Sequence, residues 1–152
     1  MRALARFVSA VGGVGYLPVA PGTAGSLVGW LLGMSWLAHG AAAPQWLAFG
    51  LLFLISLAAS TAAERASGLH DPSWIVIDEV LGMWLTLLLV PSVASTPWQA
   101  VLAFALFRVF DIAKPPPLRR LAKLPGGWGI IMDDIGAAGY AALVLQCARL
   151  LR

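Results

Sequence analysis

The sequence predicts an all-α fold: an integral membrane helical bundle of about four to five hydrophobic helices, with a polar site at their cytoplasmic ends. Three observations carry this reading. Of 152 residues, 60% are hydrophobic and only 11% are charged, whereas about a quarter of a soluble domain is charged. Mean hydropathy is +0.84. All seven acidic residues fall in four short groups: Glu64 with Asp71, Asp78-Glu79, Asp111, and Asp133-Asp134. Carboxylates used so sparingly beside apolar runs are not there for solubility; they point to a polar, cation-binding site at helix ends. The length suits one domain, residues 1–152.

Five apolar segments follow in order: Ala24 to Ala38, Trp46 to Ala63, Val80 to Val93, Trp98 to Ile112, and Ile130 to Ala148. Several are shorter than the ~20 residues a straight helix needs to cross the hydrocarbon. Tilting, or helices running past the apolar stretch, would make up the difference. Pro18 and Pro21-Gly22 precede the first segment, which Thr23 or Ser26 could cap. Gly40 and Pro44 separate it from the second, and Pro72 interrupts the polar stretch that follows. Pro91 and Pro97 bracket the next turn, and Pro115-Pro116-Pro117 end the fourth segment, because proline cannot continue a helix. The first and fifth segments are rich in Gly and Ala, which allows close helix packing.

Charge orients the bundle. The loops Gly40 to Gln45 and Ser92 to Pro97 are uncharged, whereas Arg2, Arg6, the stretch from Glu64 to Glu79, and Lys114 to Lys123 are charged. The positive-inside rule places the charged ends in the cytoplasm. Trp46, Trp98 and His39 then lie at the outer interface, and a fully crossing fifth segment leaves Arg149 and Arg152 outside. The net charge of +3 fits anionic lipid headgroups. It does not mark a nucleic-acid binder, because no basic run is interleaved with exposed aromatics. Cys147, the single cysteine, excludes an internal disulfide. The N-terminus lacks the cleavage pattern of a signal peptide.

The chemistry follows from the same residues. Clustered carboxylates repel one another unless a cation intervenes, and a hard divalent ion with oxygen ligands is the natural one. Glu64, Asp78, Glu79, Asp133 and Asp134 are the candidate metal ligands. Arg108, Asp111 and Lys114 recur at i, i+3 and i+6. They form either an internal salt bridge with Lys114 reaching the interface, or a phosphate clamp. Thr23, Gly25 and Ser26 open the first helix as a possible anion cradle, or simply as a capped turn. Gly126-Gly127-Trp128-Gly129 is a close-approach loop or a turn, and His70 beside Asp71 is a polar candidate. No nucleophile elbow, phosphatase cysteine loop or Walker loop is present, which leaves metal-assisted attack by water on a phosphate ester.

Three strings now stand out: LPVAPGTAGSL from Leu17, DPSWIVIDEVLGMW from Asp71, and FRVFDIAKPPPLRRLAKLPGGWGIIMDDIGAAGYA from Phe107. Together they closely resemble the bacterial phosphatidylglycerophosphatase A family, in the family's order, with small departures at Ala113, Pro116 and Leu118. The resemblance implies a Mg2+-dependent enzyme of the bacterial inner membrane, with its site facing the cytoplasm. Such an enzyme converts phosphatidylglycerol phosphate to phosphatidylglycerol, upstream of cardiolipin. By motif position, Asp78, Glu79, Asp133 and Asp134 would be metal or base residues. Asp111 and Lys114 would complete the catalytic set, with Thr23 and Arg108 near the phosphate. The competing classes are a small transporter and a cation-binding membrane subunit. The placement of charge at segment ends disfavours the transporter.

Overall fold

The computed structural model describes residues 2–37 and 42–151. His39 and Arg152, for which interfacial and outer positions were expected, lie outside them. Among the described residues the chain is helical throughout, without strands. Helix α1 spans Arg2–Ser9, α2 Pro21–Leu37, α3 Ala42–Ser67, α4 Ile77–Leu89, α5 Pro97–Ala113, α6 Leu118–Leu121 and α7 Gly127–Leu150. Short 3-10 turns at Val11–Tyr16 and Pro91–Ser95 join α1 to α2 and α4 to α5.

The five apolar segments reappear as α2, α3, α4, α5 and α7; α5 begins one residue earlier than hydrophobicity alone suggested and the others a few residues earlier. Neither Thr23 nor Ser26 caps α2, because the helix already starts at Pro21, where proline's missing N–H costs nothing. The Ser26 hydroxyl instead donates to the Gly22 carbonyl at 2.9 Å. The fourth segment ends before the prolines, with Lys114 as its C-cap. Among the described residues two helices are long and apolar enough to cross a membrane, Ala43–Ser67 and Gly127–Leu150, against the four or five expected. Helix α4 has 13 residues, or about 20 Å of rise.

The short α4 is nonetheless the centre of the molecule. From Val80 to Leu88 every residue is buried, and α2, α3, α5 and α7 pack around it. An apolar helix buried on all sides needs small residues on its neighbours for close approach. On α2 these are Gly25, Gly29 and Gly33, on one face. A Cβ at Gly29 would lie 2.5 Å from the Val80 carbonyl oxygen and 2.8 Å from its Cα, both backbone atoms. On α7, Ala137, Ala138, Ala141 and Ala142 serve the same purpose against a core of Met83, Leu87 and Phe107. The Trp30 indole N–H donates to the Ala100 carbonyl at 2.9 Å and joins α2 to α5.

The outward faces are apolar. Leu31 on α2, Leu51 and Leu54 on α3, Val101 on α5 and Leu143 on α7 are all more than half exposed. Cys147 is exposed on the last of these helices.

Candidate active site

Helix α4 opens with Asp78 and Glu79, where negative charge complements the helix dipole. Adjacent positions diverge by about 100°, so the two carboxylates serve different neighbours. Asp78 shares its face with Gly82, four residues on, and that face meets α7. A Cβ at Gly82 would be 3.0 Å from the Asp134 carbonyl and 2.6 Å from the Phe107 ring. Glu79 points instead to the start of α2. A Cβ at Gly22 would overlap the Glu79 Oε1 atom and lie 3.4 Å from Arg108 Nη2. The bare Gly22 backbone is what lets α2 begin directly over this carboxylate.

Helices α5 and α7 bring the remaining groups. Asp111 and Arg108 share a face of α5, and Arg108 Nη1 donates to Asp111 Oδ2 at 2.5 Å and to the Ser26 hydroxyl at 3.2 Å. Lys114 ends α5 in left-handed geometry, φ 43 and ψ 63, which a residue with a Cβ adopts at some cost. The turn sends its ammonium to Asp133 Oδ2, to which it donates. Burial lowers the Lys114 ammonium, but the hydrogen bond and charge of Asp133, with the charges of Asp134 and Asp71, raise it above the ordinary lysine value. It is a fixed cation at every working pH. Asp133 and Asp134 are positioned by the start of α7, where Gly127 N–H donates to Thr61 Oγ1 at 3.0 Å.

These groups surround one cavity of about 460 Å3 at the common end of α2, α4, α5 and α7. Thr23, Asp78, Glu79, Arg108, Asp111, Lys114, Asp133 and Asp134 all line it. Asp78, Asp111, Asp133 and Asp134 are each less than a tenth exposed. The charges divide into two sets. Asp111 and Asp133 are neutralised by Arg108 and Lys114. Asp78, Glu79 and Asp134 make no ion pair among the described residues, and one carboxylate oxygen from each lies within 4.8 Å of the other two. Each of these three keeps a buried oxygen without a hydrogen-bond partner. Three unpaired carboxylates, an all-oxygen donor set and orphaned buried oxygens fit a hard divalent cation.

Three expected site residues lie elsewhere. Glu64, an expected metal ligand, is not at the cavity; its Oε1 is 2.6 Å from His70 Nδ1. Gly25 packs on Val76, 2.8 Å from the carbonyl oxygen in the Cβ measure, and offers nothing to a ligand. Ser26 reaches the site only through Arg108. Gly126 takes φ 65 and forms the turn into α7, the plainer of its two readings. Among the residues that line the cavity without having been expected as site residues, Asp71 and Ser73 carry polar side chains. The scarcity of acids marks Asp71 in the sequence; nothing marks Ser73, which the turn before α4 carries in.

His70 closes the loop that bears Asp71. Its ring contacts Glu64 Oε1 and, at 3.2 Å, the Ala122 carbonyl. Both partners are acceptors, so the protonated ring serves both, and the hydrogen bond to Glu64 followed by that to Ala122 raises its titration point. A raised histidine stabilises the fold fully below its unfolded value, near ~6.5, and the contribution fades as pH rises through the folded value. Imidazole NMR of wild type and Glu64→Gln is expected to show His70 titrating lower in the variant. Equal midpoints would refute the pairing.

A family model described as phosphatidylglycerophosphatase A matches residues 7–149. The chain is 42% identical over 135 residues to a Haemophilus influenzae phosphatidylglycerophosphatase A, covering 88% of this chain and 81% of that one. It is 36% identical over 142 residues to the Escherichia coli protein of that name, covering 88% and 76%. It is also 38% identical over 143 residues to a Bacteroides thetaiotaomicron protein provisionally named a phosphatidylinositol-3-phosphatase, covering 90% and 88%. No solved structure matches.

Proposed function

The chain belongs to the phosphatidylglycerophosphatase A family, and from that premise we propose that it hydrolyses phosphatidylglycerol phosphate to phosphatidylglycerol and phosphate. The observation that carries the mechanism is the division of charge in the cavity. Two carboxylates are matched by Arg108 and Lys114, and three are left to a cation.

Asp78, Glu79 and Asp134 would hold the ion, for which Mg2+ is our choice. A bound Mg2+ supplies Lewis acidity to a phosphoryl oxygen and keeps waters that a phosphate can displace. The rest is the work of the chain. Arg108 offers a guanidinium fork and Lys114 a point charge to the equatorial phosphoryl oxygens. Asp111 and Asp133 hold those two cations in place, which fixes the electrostatics before substrate arrives. Thr23 and the first N–H groups of α2 face the same cavity and can donate to the phosphate. A cavity carboxylate takes the proton of the attacking water and returns it to the glycerol oxygen, which leaves as the alcohol as its bond to phosphorus breaks.

We place α3 and α7 across the bacterial inner membrane, with the cavity on the cytoplasmic side. The apolar outer faces and the basic stretch from Lys114 to Lys123 support this placement. The substrate is a lipid of that leaflet, and no nucleic acid is involved. The provisional name of the Bacteroides relative makes phosphatidylinositol 3-phosphate the substrate to compare.

The test is phosphate release by purified protein in detergent from both lipids, with Mg2+ and with EDTA. Release from phosphatidylglycerol phosphate that stops in EDTA and returns with Mg2+ is expected. Undiminished release in EDTA would remove the metal. Preference for the inositol lipid would change the substrate and keep the mechanism.

A further inference from the structure

Helix α1 lies along α3 but does not seal against it. Between them runs an apolar cavity of about 380 Å3 lined by Leu4, Ala5, Val8, Ile55, Ala58 and Ala62, with Arg2 at its edge. The α3 wall is largely alanine, so no side chain fills the space. Arg2 also lines an adjoining cavity with Arg6, Phe7 and Tyr16. Among the described residues neither arginine makes an ion pair; Arg6 stands 5.9 Å above the Trp74 ring. An apolar slot on a membrane-crossing helix, ending at two cations without a carboxylate, is complementary to one kind of molecule. We propose that this groove binds an anionic phospholipid, with an acyl chain along α3 and the net negative headgroup at Arg2 and Arg6.

The site is separate from the catalytic cavity, with which it shares no lining residue. Arg2, Leu4 and Arg6 precede the residues matched by the family model, so family membership does not assign them. A path to the active site nevertheless exists. The Ser9 carbonyl at the end of α1 accepts the Val76 N–H at 2.9 Å, two residues before Asp78. Tyr16 also stacks on Trp74, with centroids 6.0 Å apart. A lipid that orders α1 therefore also orders the segment leading into α4.

The proposal rests on the membrane placement of α3 and not on the phosphatase reading, so it is tested without turnover. Native mass spectrometry of the full chain in a neutral detergent would compare retention of phosphatidylserine and phosphatidylcholine, neither of them a phosphomonoester. Wild type is expected to prefer phosphatidylserine on the order of tenfold. Arg2→Gln with Arg6→Gln should abolish the preference, and Ala58→Trp, at an exposed position, should lower retention of both lipids. Asp134→Asn should retain the lipid like wild type. Equal retention of the two lipids by wild type, a preference surviving in the double arginine variant, or loss of retention in Asp134→Asn would each overturn the site.

Discussion

Asp134→Asn is expected to lower phosphate release on the order of 10^3-fold while leaving the metal-free protein at least as stable as wild type. The two halves of this result come from the same geometry. Asp134 is 2% exposed and lies with Asp78 and Glu79, none of which makes an ion pair among the described residues. Asn has nearly the same shape, and the Asp134 backbone carbonyl that faces Gly82 is untouched by the change. Removing one of three like charges relieves repulsion in a low-dielectric setting. The same change removes a ligand that a divalent ion needs. Asp78→Asn should behave alike, since Asp78 belongs to the same unpaired set.

A structural role makes the opposite prediction. If the carboxylate were held by hidden pairing, Asn would leave a partner unsatisfied and cost stability. Thermal unfolding in EDTA, beside phosphate release in Mg2+, separates the two. Near-normal turnover in both variants would sink the assignment of these carboxylates.

The second large effect is on folding. Gly29→Val is expected to destabilise the protein by about 3 kcal/mol, the upper end for overpacking a tight contact. The nearest atoms to the added Cβ belong to the Val80 backbone and cannot rotate away. Relief requires α2 to move off α4, which also lifts Gly22 and Thr23 from Glu79, so residual folded protein should turn over slowly. Gly50→Ala is the control: it is also a helical glycine, but with nothing within 4 Å of the added atom, and its expected change is neutral to slightly stabilising. Denaturation midpoints of the two variants check the contrast. Similar midpoints for the two variants would mean that the α2–α4 contact does not govern stability at Gly29.

The sequence carried the helices whose cause is local and lost those whose cause is packing. The five apolar runs mark α2, α3, α4, α5 and α7, because burial or lipid contact demands apolar residues wherever a helix lies. Their bounds slipped because helices run on past the apolar stretch: α3 continues past Ala63 to Ser67, and α7 begins at Gly127. Helices α1 and α6 are short and carry arginines, so no apolar run marks them, and they lean on α3 and α7.

In the site, Asp78, Glu79 and Asp134 were legible because acids are so rare here. Arg108 and Lys114 were legible from their spacing with Asp111. Glu64 was misplaced by the same rarity, since sequence could not show that His70, six residues on, takes it. Gly25 looked like part of an anion cradle, yet its missing side chain serves helix contact. One local sequence cannot tell a glycine bare for a ligand from one bare for a neighbour.

Asp133 and Asp134 come six and seven residues after Gly127, so they lie roughly 10 Å along α7 from its first turn. On the proposed placement, with α7 upright in a bilayer, a phosphate that reached them would leave the headgroup plane and sink toward the acyl region. The lipid would have to be drawn down as a whole, or the leaflet would have to dimple to meet the protein. Chain melting and leaflet thickness would then set part of the work of each turnover, and the enzyme so placed would respond to the mechanical state of its own membrane.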